Sequence, residues 1–310
     1  MADTPIIVVS GAASVDITIR NPPLNWYGGA AADSYTPGLI KRIEEPVEMV
    51  LGGNGAAAAY VIAKLGVRAR LSSSVGNDSG GQLVRRWLED AGVELLTAPT
   101  PSTMFAFTAV DDGGRRSGCL QYPGPPIDWQ AAAQCDGAWL LIATHAQASL
   151  DDYRKIVDSL EHARRDGRRT AFDCGISWLG KMPETDMQAL WQHTDLVIGT
   201  NDELGAWAKC TDPERIAERV LDHGPQQVIV KLGADGAAAQ GQHEPFVRQP
   251  AHKLKCADVT IGAGDGFNGG ALAALATGQS LSAAVDAGQK VASLIVQSGR
   301  GVIGWGDGLN

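Results

Sequence analysis

The sequence lacks the features that mark several large classes of protein. No apolar run reaches the roughly 18 residues of a membrane span, and residues 5–10 are too short and lack the basic flank of a secretion signal. Basic residues are outnumbered, because 26 Lys and Arg oppose 35 Asp and Glu and give a net charge of −9. Nucleic-acid-binding surfaces normally carry a basic excess. The sequence therefore predicts neither a membrane nor a nucleic-acid partner.

Cysteine is sparse and scattered. The five cysteines, at positions 119, 135, 174, 210 and 256, are odd in number and form no C-x-x-C pair. Disulfide frameworks and zinc sites need paired or clustered cysteines. Reduced thiols and a cytoplasmic location are therefore expected.

Several catalytic and nucleotide-binding motifs are missing as well. No G-x-x-x-x-G-K-[ST], H-E-x-x-H or G-x-S-x-G occurs, which argues against a Walker-type NTPase, a zinc protease and a serine hydrolase. Residues 53–58 do match G-x-G-x-x-A, but the next predicted strand ends in Ser72-Ser73-Ser74. A dinucleotide-binding fold places an acid there to hold a ribose. An NAD-dependent oxidoreductase is therefore the least favoured enzyme class.

What the sequence does contain is an alternation of short β-branched runs with helical patterns. This alternation predicts right-handed βαβ units, a mostly parallel sheet and helices on both of its faces. The 310 residues are enough for one large α/β domain, with or without a small appendage. Strands are predicted at 6–10, 69–75, 137–143, 170–173, 196–199 and 227–231. Helices are predicted at 55–65, 80–91, 151–166, 187–193, 203–208, 213–223, 265–277 and 282–298.

Two segments interrupt the alternation. Residues 17–50 are rich in Pro and Gly and then turn to a period of two at 45–51. Residues 103–111 form another predicted strand, followed by Gly113-Gly114 as a hairpin turn. The two segments predict a small β-sheet set apart from the main one, although an extension of the main sheet's edge would give the same pattern.

The most informative segment is a glycine-rich turn that leads into a small-residue helix. Residues 262–274 read Gly-Ala-Gly-Asp-Gly-Phe-Asn-Gly-Gly-Ala-Leu-Ala-Ala. Small residues at 262–264 leave the backbone N–H groups bare, and the helix dipole favours an anion there, most often phosphate. Asp265 stands where it could deprotonate a hydroxyl that attacks phosphorus. An ordinary helix cap gives the same pattern, so this segment alone leaves both interpretations open.

A second glycine-rich segment decides between them. It begins at Gly52-Gly53, continues through Gly55 and closes with Gly66 and Gly76. Together with residues 262–270, this segment resembles the paired signatures of the ribokinase-like (PfkB) family of carbohydrate and nucleoside kinases. The resemblance spans the whole chain. It implies a ribokinase-like three-layer α/β sandwich with a mostly parallel central sheet, in which segments 17–50 and 97–122 form a small β-sheet lid.

The resemblance also implies roles for single residues. Asp265 resembles the catalytic base, and the N–H groups of Gly262, Ala263 and Gly264 resemble the anion hole for the transferring phosphoryl group. The implied sugar-binding residues are Asp16, Gly53 and Asn54. The implied ATP-side residues are Thr200, Lys231, Gly233 and Gly236. Glu203 resembles the acid that organises Mg²⁺ through water.

The chain departs from the family pattern at a few positions. Ala57 and Thr200 stand where the family usually has Asn, and the segment after Asp173 lacks the usual Asn and Arg. Val259 replaces an acidic or polar residue near the site where many relatives bind a monovalent cation. The sequence therefore leaves a requirement for K⁺ open.

The resulting hypothesis is an ATP- and Mg²⁺-dependent kinase that phosphorylates a primary hydroxyl of a small sugar. The exposed strand edges of a lid would favour a homodimer formed through it. A nucleoside kinase is the first alternative, and a bulky lid around Trp26 and Tyr27 would favour it. The second alternative is a non-catalytic sugar or nucleotide sensor on the same fold, because fold does not fix function.

Overall fold

The computed structural model describes residues 4–22, 43–111, 116–144, 148–175, 182–254 and 260–305. The strands in these ranges are β1 (Ile6–Ser10), β2 (Ser14–Arg20), β3 (Glu48–Gly52), β4 (Arg68–Ser72), β5 (Glu94–Leu95), β6 (Met104–Val110), β7 (Arg116–Tyr122), β8 (Trp139–Ala143), β9 (Arg169–Asp173), β10 (Leu196–Thr200), β11 (Gln227–Lys231), β12 (Ala237–Gly241) and β13 (Glu244–Gln249). The helices are α1 (Asn54–Lys64), α2 (Ser79–Ala91), α3 (Leu150–Arg165), α4 (Glu184–Gln192), α5 (Asn201–Ala208), α6 (Pro213–Asp222), α7 (Ala263–Ala276), α8 (Leu281–Ser298) and α9 (Gly301–Gly304).

Nine of these strands form one sheet in the order β13-β12-β11-β10-β9-β8-β1-β4-β5. The pairs from β11 to β5 are parallel, whereas β12 and β13 add an antiparallel edge. This confirms the predicted α/β fold with a mostly parallel sheet. The antiparallel edge escapes the strand pattern because β12 reads Ala-Ala-Ala-Gln-Gly and has no β-branched residue.

Helices cover both faces of this sheet, as three-layer packing requires. On one face, β-strand side chains such as Val9, Ile198 and Ile229 share a core with residues of α1, α7 and α8. On the other face, side chains such as Val8 and Val197 pack with residues of α3, α4, α5 and α6. The segregation follows from the period of two along each strand. It places the glycine-rich helix α7 on the first of these two faces.

The remaining four strands form a separate small sheet in the order β3-β2-β6-β7. Its β2–β6 pair is parallel and its other two pairs are antiparallel, which confirms the predicted small sheet. Strand β2 begins at Ser14 and β3 ends at Gly52, because the two strands stay paired beyond the limits of the predicted segment 17–50. The predicted turn at Gly113-Gly114 lies outside the described residues, and so do Trp26 and Tyr27.

Helix α7 is enclosed by its neighbours because its residues are small. A Cβ atom added at Gly269 would lie 2.8 Å from the carbonyl oxygen of Ala58 in α1. A Cβ atom at Gly270 would lie 3.0 Å from the carbonyl oxygen of Ala287 in α8. The close approach fixes the middle of α7 relative to both helices.

Two observations concern the predictions that the chain has no membrane partner and that its thiols are reduced. Of the helices that the structure describes, none combines the length and the hydropathy that a bilayer crossing requires. Cys119, Cys135, Cys174 and Cys210 are free thiols. The cytoplasmic location stays a prediction.

Candidate active site

The carboxyl ends of three neighbouring strands bring charged side chains together. Strands β9, β10 and β11 end at Asp173, Thr200 and Lys231. Thr200 pairs with Lys231, and Asp173 pairs with Ile198 two residues before Thr200. Residues in register on parallel strands point to the same face, so these side chains lie on the face that carries α7. Ligands of such sheets bind beyond this edge.

The head of α7 has the geometry that the sequence predicts for an anion site. Gly262 precedes the helix with φ 78°, a conformation that a side chain would strain. The first intrahelical bond runs from the N–H of Gly266 to the carbonyl of Gly262 at 2.8 Å. The N–H groups of Ala263, Gly264 and Asp265 therefore precede the helical hydrogen-bond ladder. That of Ala263 donates to the Thr260 carbonyl at 3.3 Å.

The side chain of Lys231 connects the sheet to the head of α7. Its Nζ donates to Asp173 Oδ1 at 3.3 Å and to Asn268 Oδ1 at 3.1 Å. Asn268 is 1% exposed and follows Asp265 by three residues, so the two share one face of the helix. A Cβ atom at Gly264 would lie 3.8 Å from the same Nζ. The ammonium thus lies beside the turn that the sequence predicts to hold the phosphoryl group.

The charges of this cluster perturb one another. Burial alone would lower the pKa of Lys231, but the carboxylates of Asp173, Glu203 and Asp265 raise it above its ordinary value. Burial and the charge of Asp173 raise the pKa of Glu203, although Lys231 and Thr200 partly oppose this. Burial also raises the pKa of the Cys174 thiol, and the carboxylates of Glu203 and Asp173 add to the effect while Lys231 opposes it. Lys231 therefore stays protonated, and Cys174 is an inert thiol.

Glu203 and Thr200 form a capping box at the start of α5. The backbone N–H of Thr200 donates to Glu203 Oε2 at 2.7 Å, and the N–H of Glu203 donates to Thr200 Oγ1 at 3.2 Å. This arrangement satisfies two backbone donors of the helix terminus. It also holds the Glu203 carboxylate at the strand edge, near Asp173 and Lys231.

The predicted sugar-side residues gather at the end of β1. Asn54 Oδ1 accepts from the N–H of Ala12 at 3.1 Å and from the N–H of Gly55 at 2.9 Å, while its amide group donates to the Thr144 carbonyl. Gly53 precedes α1 with φ 82°. Asn54 thus ties the start of α1 to the ends of two strands, a structural role that the sequence does not reveal.

Asp16 lies in β2, on the face of the small sheet opposite Val15 and Ile17. Its Oδ1 accepts from Ser14 Oγ at 2.6 Å. A Cβ atom at Gly52 would lie only 2.0 Å from that carboxylate, so Gly52 provides the space for it.

The predicted ATP-side glycines lie in the turn between β11 and β12. Gly236 has φ 100°, and an added Cβ atom would lie 2.0 Å from the Gln249 carbonyl oxygen, so this position accepts only glycine. Around Gly233, by contrast, no described residue beyond its chain neighbours would lie within 4 Å of an added Cβ atom. In the described part of the chain, the turn therefore leaves space close after Lys231.

Two members of the cluster, Asp173 and Asn268, were absent from the predicted site residues. Asp173 ends a strand at the edge where ligands bind, and Asn268 is a polar residue in an otherwise small and apolar helix. Both signals were present in the sequence. Of the departures from the family pattern, Ala57 lies in the apolar core at 1% exposure, and Val259 lies outside the described residues.

Known proteins resemble this chain over most of its length. The profile of the pfkB family of carbohydrate kinases matches residues 31–304. A 5-dehydro-2-deoxygluconokinase from Geobacillus thermodenitrificans is 27% identical over 288 residues, which cover 84% of this chain and 83% of the relative.

Solved structures share the fold. A ribokinase from Thermotoga maritima is 26% identical with a TM-score of 0.70, over 94% of this chain and 93% of its own. An adenosine kinase from Sinorhizobium meliloti superposes with a TM-score of 0.77 over 99% of this chain and 98% of its own, but at 21% identity it shows the fold alone. The chain belongs to the pfkB family and is a carbohydrate kinase with the ribokinase-like fold.

Proposed function

We propose that this kinase transfers the γ-phosphoryl group of ATP to a primary hydroxyl of a small sugar, with Asp265 as the catalytic base. One observation carries the proposal: Asp265 lies in the first turn of α7, whose first N–H groups and the neighbouring Lys231 ammonium lie together at the ligand-binding edge of the sheet. The N–H groups of Gly262, Ala263 and Gly264 are the proposed anion hole.

The residues on the ATP side fit a nucleoside triphosphate. Among the described residues outside the local chain, an added Cβ atom would meet nothing within 4 Å at Gly233 and only the Lys231 ammonium at Gly264. Helix termini and ammonium groups are the usual partners of phosphate oxygens. We assign Thr200, Lys231, Gly233 and Gly236 to this side.

The carboxylates at the strand edge fit Mg²⁺ as well. The raised pKa of Glu203 reflects burial beside Asp173, a setting in which a divalent cation would replace a proton. Among the described residues no group of three metal-binding side chains is found. Mg²⁺ typically uses one or two carboxylates with water and substrate phosphates, so Glu203 would hold it through water. The bound ion would neutralise phosphate charge.

The sugar would lie between Asp16, Gly53, Asn54 and the small sheet, with its hydroxyl towards Asp265. The Asp265 carboxylate takes the hydroxyl proton as the sugar oxygen forms a bond to the γ-phosphorus. The bond between that phosphorus and the β,γ-bridging oxygen breaks, and its electron pair leaves with ADP. The small sheet, as a lid, would exclude water that would otherwise hydrolyse ATP.

Exchange of Asp265 for asparagine tests the base. Asp265→Asn keeps the shape of the side chain but cannot accept the proton, so kcat is expected to fall about 10²- to 10⁴-fold. Binding of ATP and sugar, measured by calorimetry, should change little. Asp90→Asn, on an exposed turn of α2, is the matched control and should retain full activity. Retained turnover in Asp265→Asn would refute the assignment.

A substrate panel separates the remaining possibilities. Relatives are named for a sugar acid, for ribose and for adenosine, so ADP release should be measured with 5-dehydro-2-deoxygluconate, ribose, neutral hexoses and adenosine, each with and without K⁺. A small sugar is the expected substrate. Turnover of adenosine alone would favour the nucleoside kinase. Binding without ADP release in any mixture would favour a sensor.

We also propose that two copies pair through the small sheet. Met49, Ile17, Phe107 and Leu120 form one row in register across its four strands. Ile17 is half-buried, but Met49 is 51%, Leu120 53% and Phe107 36% exposed, and neighbouring exposed apolar side chains favour a partner surface. Light scattering should give a dimer for the native chain and a monomer for Leu120→Glu. A monomeric native chain would contradict the pairing.

A further inference from the structure

We propose that Lys231 is a catalytic residue whose ammonium donates a hydrogen bond to the phosphoryl group during its transfer. The resemblance assigns Lys231 only to the ATP-side turn, so contact with the transferred group is a further role. The inference rests on the proposed function, because it requires ATP and the sugar hydroxyl to meet at the head of α7. No covalent bond to Lys231 forms or breaks in this role.

The position of the ammonium supports the role. Lys231 is the last residue of β11, and the open turn of Gly233 follows it directly. Its Nζ lies 3.1 Å from Asn268 Oδ1, one helical turn beyond Asp265. A Cβ atom at Gly264 would lie 3.8 Å from it. The ammonium therefore lies between the turn assigned to ATP and the N–H groups assigned to the anion hole.

Asp173 and Asn268 hold the ammonium in this place. They use two of its three protons, and the Lys231 side chain is only 12% exposed. An ammonium fixed on two sides loses little further freedom when a phosphoryl oxygen accepts a hydrogen bond from its third N–H. This preorganisation is what stabilises charge in a transition state.

The charge balance of the cluster calls for this cation. The phosphoryl group brings negative charge to a place already surrounded by the carboxylates of Asp173, Glu203 and Asp265. Lys231 is the basic group whose charge acts on both Glu203 and Cys174. Without it, the approaching phosphoryl group would meet these carboxylates with one positive charge fewer to oppose them.

The competing interpretation is that Lys231 only neutralises the buried Asp173. Their side chains are 12% and 8% exposed, and a buried carboxylate without a partner destabilises a protein strongly. A single Lys231 variant could then lose activity because the fold is damaged. The test must therefore remove the ammonium without leaving Asp173 charged.

The experiment compares Lys231→Met with the double variant Asp173→Asn/Lys231→Met, which is neutral at both positions. Initial rates give kcat and both KM values, and thermal unfolding gives the stability of each variant. We expect kcat to fall about 10²- to 10³-fold in both variants, as for loss of one transition-state donor, with small changes in either KM. Lys231→Arg keeps the charge and should retain more activity than Lys231→Met.

The control is Lys64→Met, at the exposed end of α1, which should match the native rate. Recovery of kcat in the stable double variant would overturn the proposal, since Lys231 would then serve only to neutralise Asp173. An unchanged kcat with a raised KM for ATP would also overturn it. Failure of the proposed function is a different result: the native chain would release no ADP with any sugar, or Asp265→Asn would stay active.

Discussion

Gly53 and Gly55 press against backbone, whereas Gly264 at the head of α7 has room beside it among the described residues. A Cβ atom at Gly53 would lie 2.4 Å from the Ala12 carbonyl oxygen, and one at Gly55 would lie 2.6 Å from the Gly11 α-carbon. At Gly264 the nearest contact from the described residues would be the Lys231 ammonium at 3.8 Å. Both segments precede helices, yet one is closed by the protein and the other stays open.

The difference separates two uses of glycine. In the first segment, glycine lets the end of β1 and the start of α1 approach more closely than any side chain allows. That approach is what brings Asn54 within hydrogen-bond distance of Ala12. In the second segment, glycine keeps a space clear beside backbone N–H groups and a cation. The first use stabilises the fold, and the second provides room for a ligand.

Of the exchanges that test this comparison, Gly55→Ala should have the largest effect, a loss of stability. The new methyl group would overlap the Gly11 backbone, which is rigid because it follows β1. We expect the free energy of unfolding to fall by about 3 kcal/mol, at the upper end of overpacking effects. Urea denaturation with an unchanged m-value would measure it. A loss below about 1 kcal/mol would show that the two backbones separate easily and that the approach is not limiting.

Gly264→Ala should lower the activity without lowering the stability, whereas Gly55→Ala should lower the stability. The position has no positive φ and lies in the first turn of α7, so alanine should leave the free energy of unfolding unchanged or raise it by up to about 1 kcal/mol. The methyl group would occupy the space beside the Lys231 ammonium. We expect kcat to fall about 100-fold, because small displacements at a reacting centre cost this much.

Initial-rate kinetics and thermal unfolding on the same preparation check this second prediction, with Gly55→Ala as the matched glycine exchange. Full activity in Gly264→Ala would mean that the phosphoryl group does not pass beside this residue. The open space at the head of α7 would then have no part in catalysis.

Much of the fold could be predicted from the sequence, and some of it could not. The β-branched runs predict the central strands because those strands are buried on both faces. The small sheet is predicted from the period of two at 45–51 and the strand at 103–111, which correspond to β3 and β6, whereas β2 was not predicted as a strand. The antiparallel edge at β12 was missed, since three successive alanines carry no strand signal and the pairing partner alone makes it a strand.

The site shows a similar division. The turn proposed as catalytic is predictable because anion binding needs small residues and a helix start in one continuous segment. The Lys231 cluster joins residues 58 positions apart in Asp173 and 37 apart in Asn268, and only the order of the strands brings them together. The internal bonds of Asn54 were hidden for the same reason, since they link positions 12, 54 and 144.

Asn54→Asp should have the smallest of these effects. It tests whether residues 52–55 serve to stabilise the fold. The exchange keeps the oxygen that accepts from Ala12 and Gly55 but replaces the donor to the Thr144 carbonyl with a second oxygen. We expect the free energy of unfolding to fall by about 2 kcal/mol, because a partly buried carbonyl loses its partner. Asn201→Asp, whose lost bond to Thr211 is exposed, is the control and should change stability by no more than about 0.5 kcal/mol.

If Asn54 also holds the sugar, as we propose, the KM of the Asn54→Asp variant for the sugar should rise, even at temperatures well below unfolding. Native stability with a raised KM would instead make Asn54 a ligand residue that the fold does not need, and the contrast between the two glycine segments would narrow.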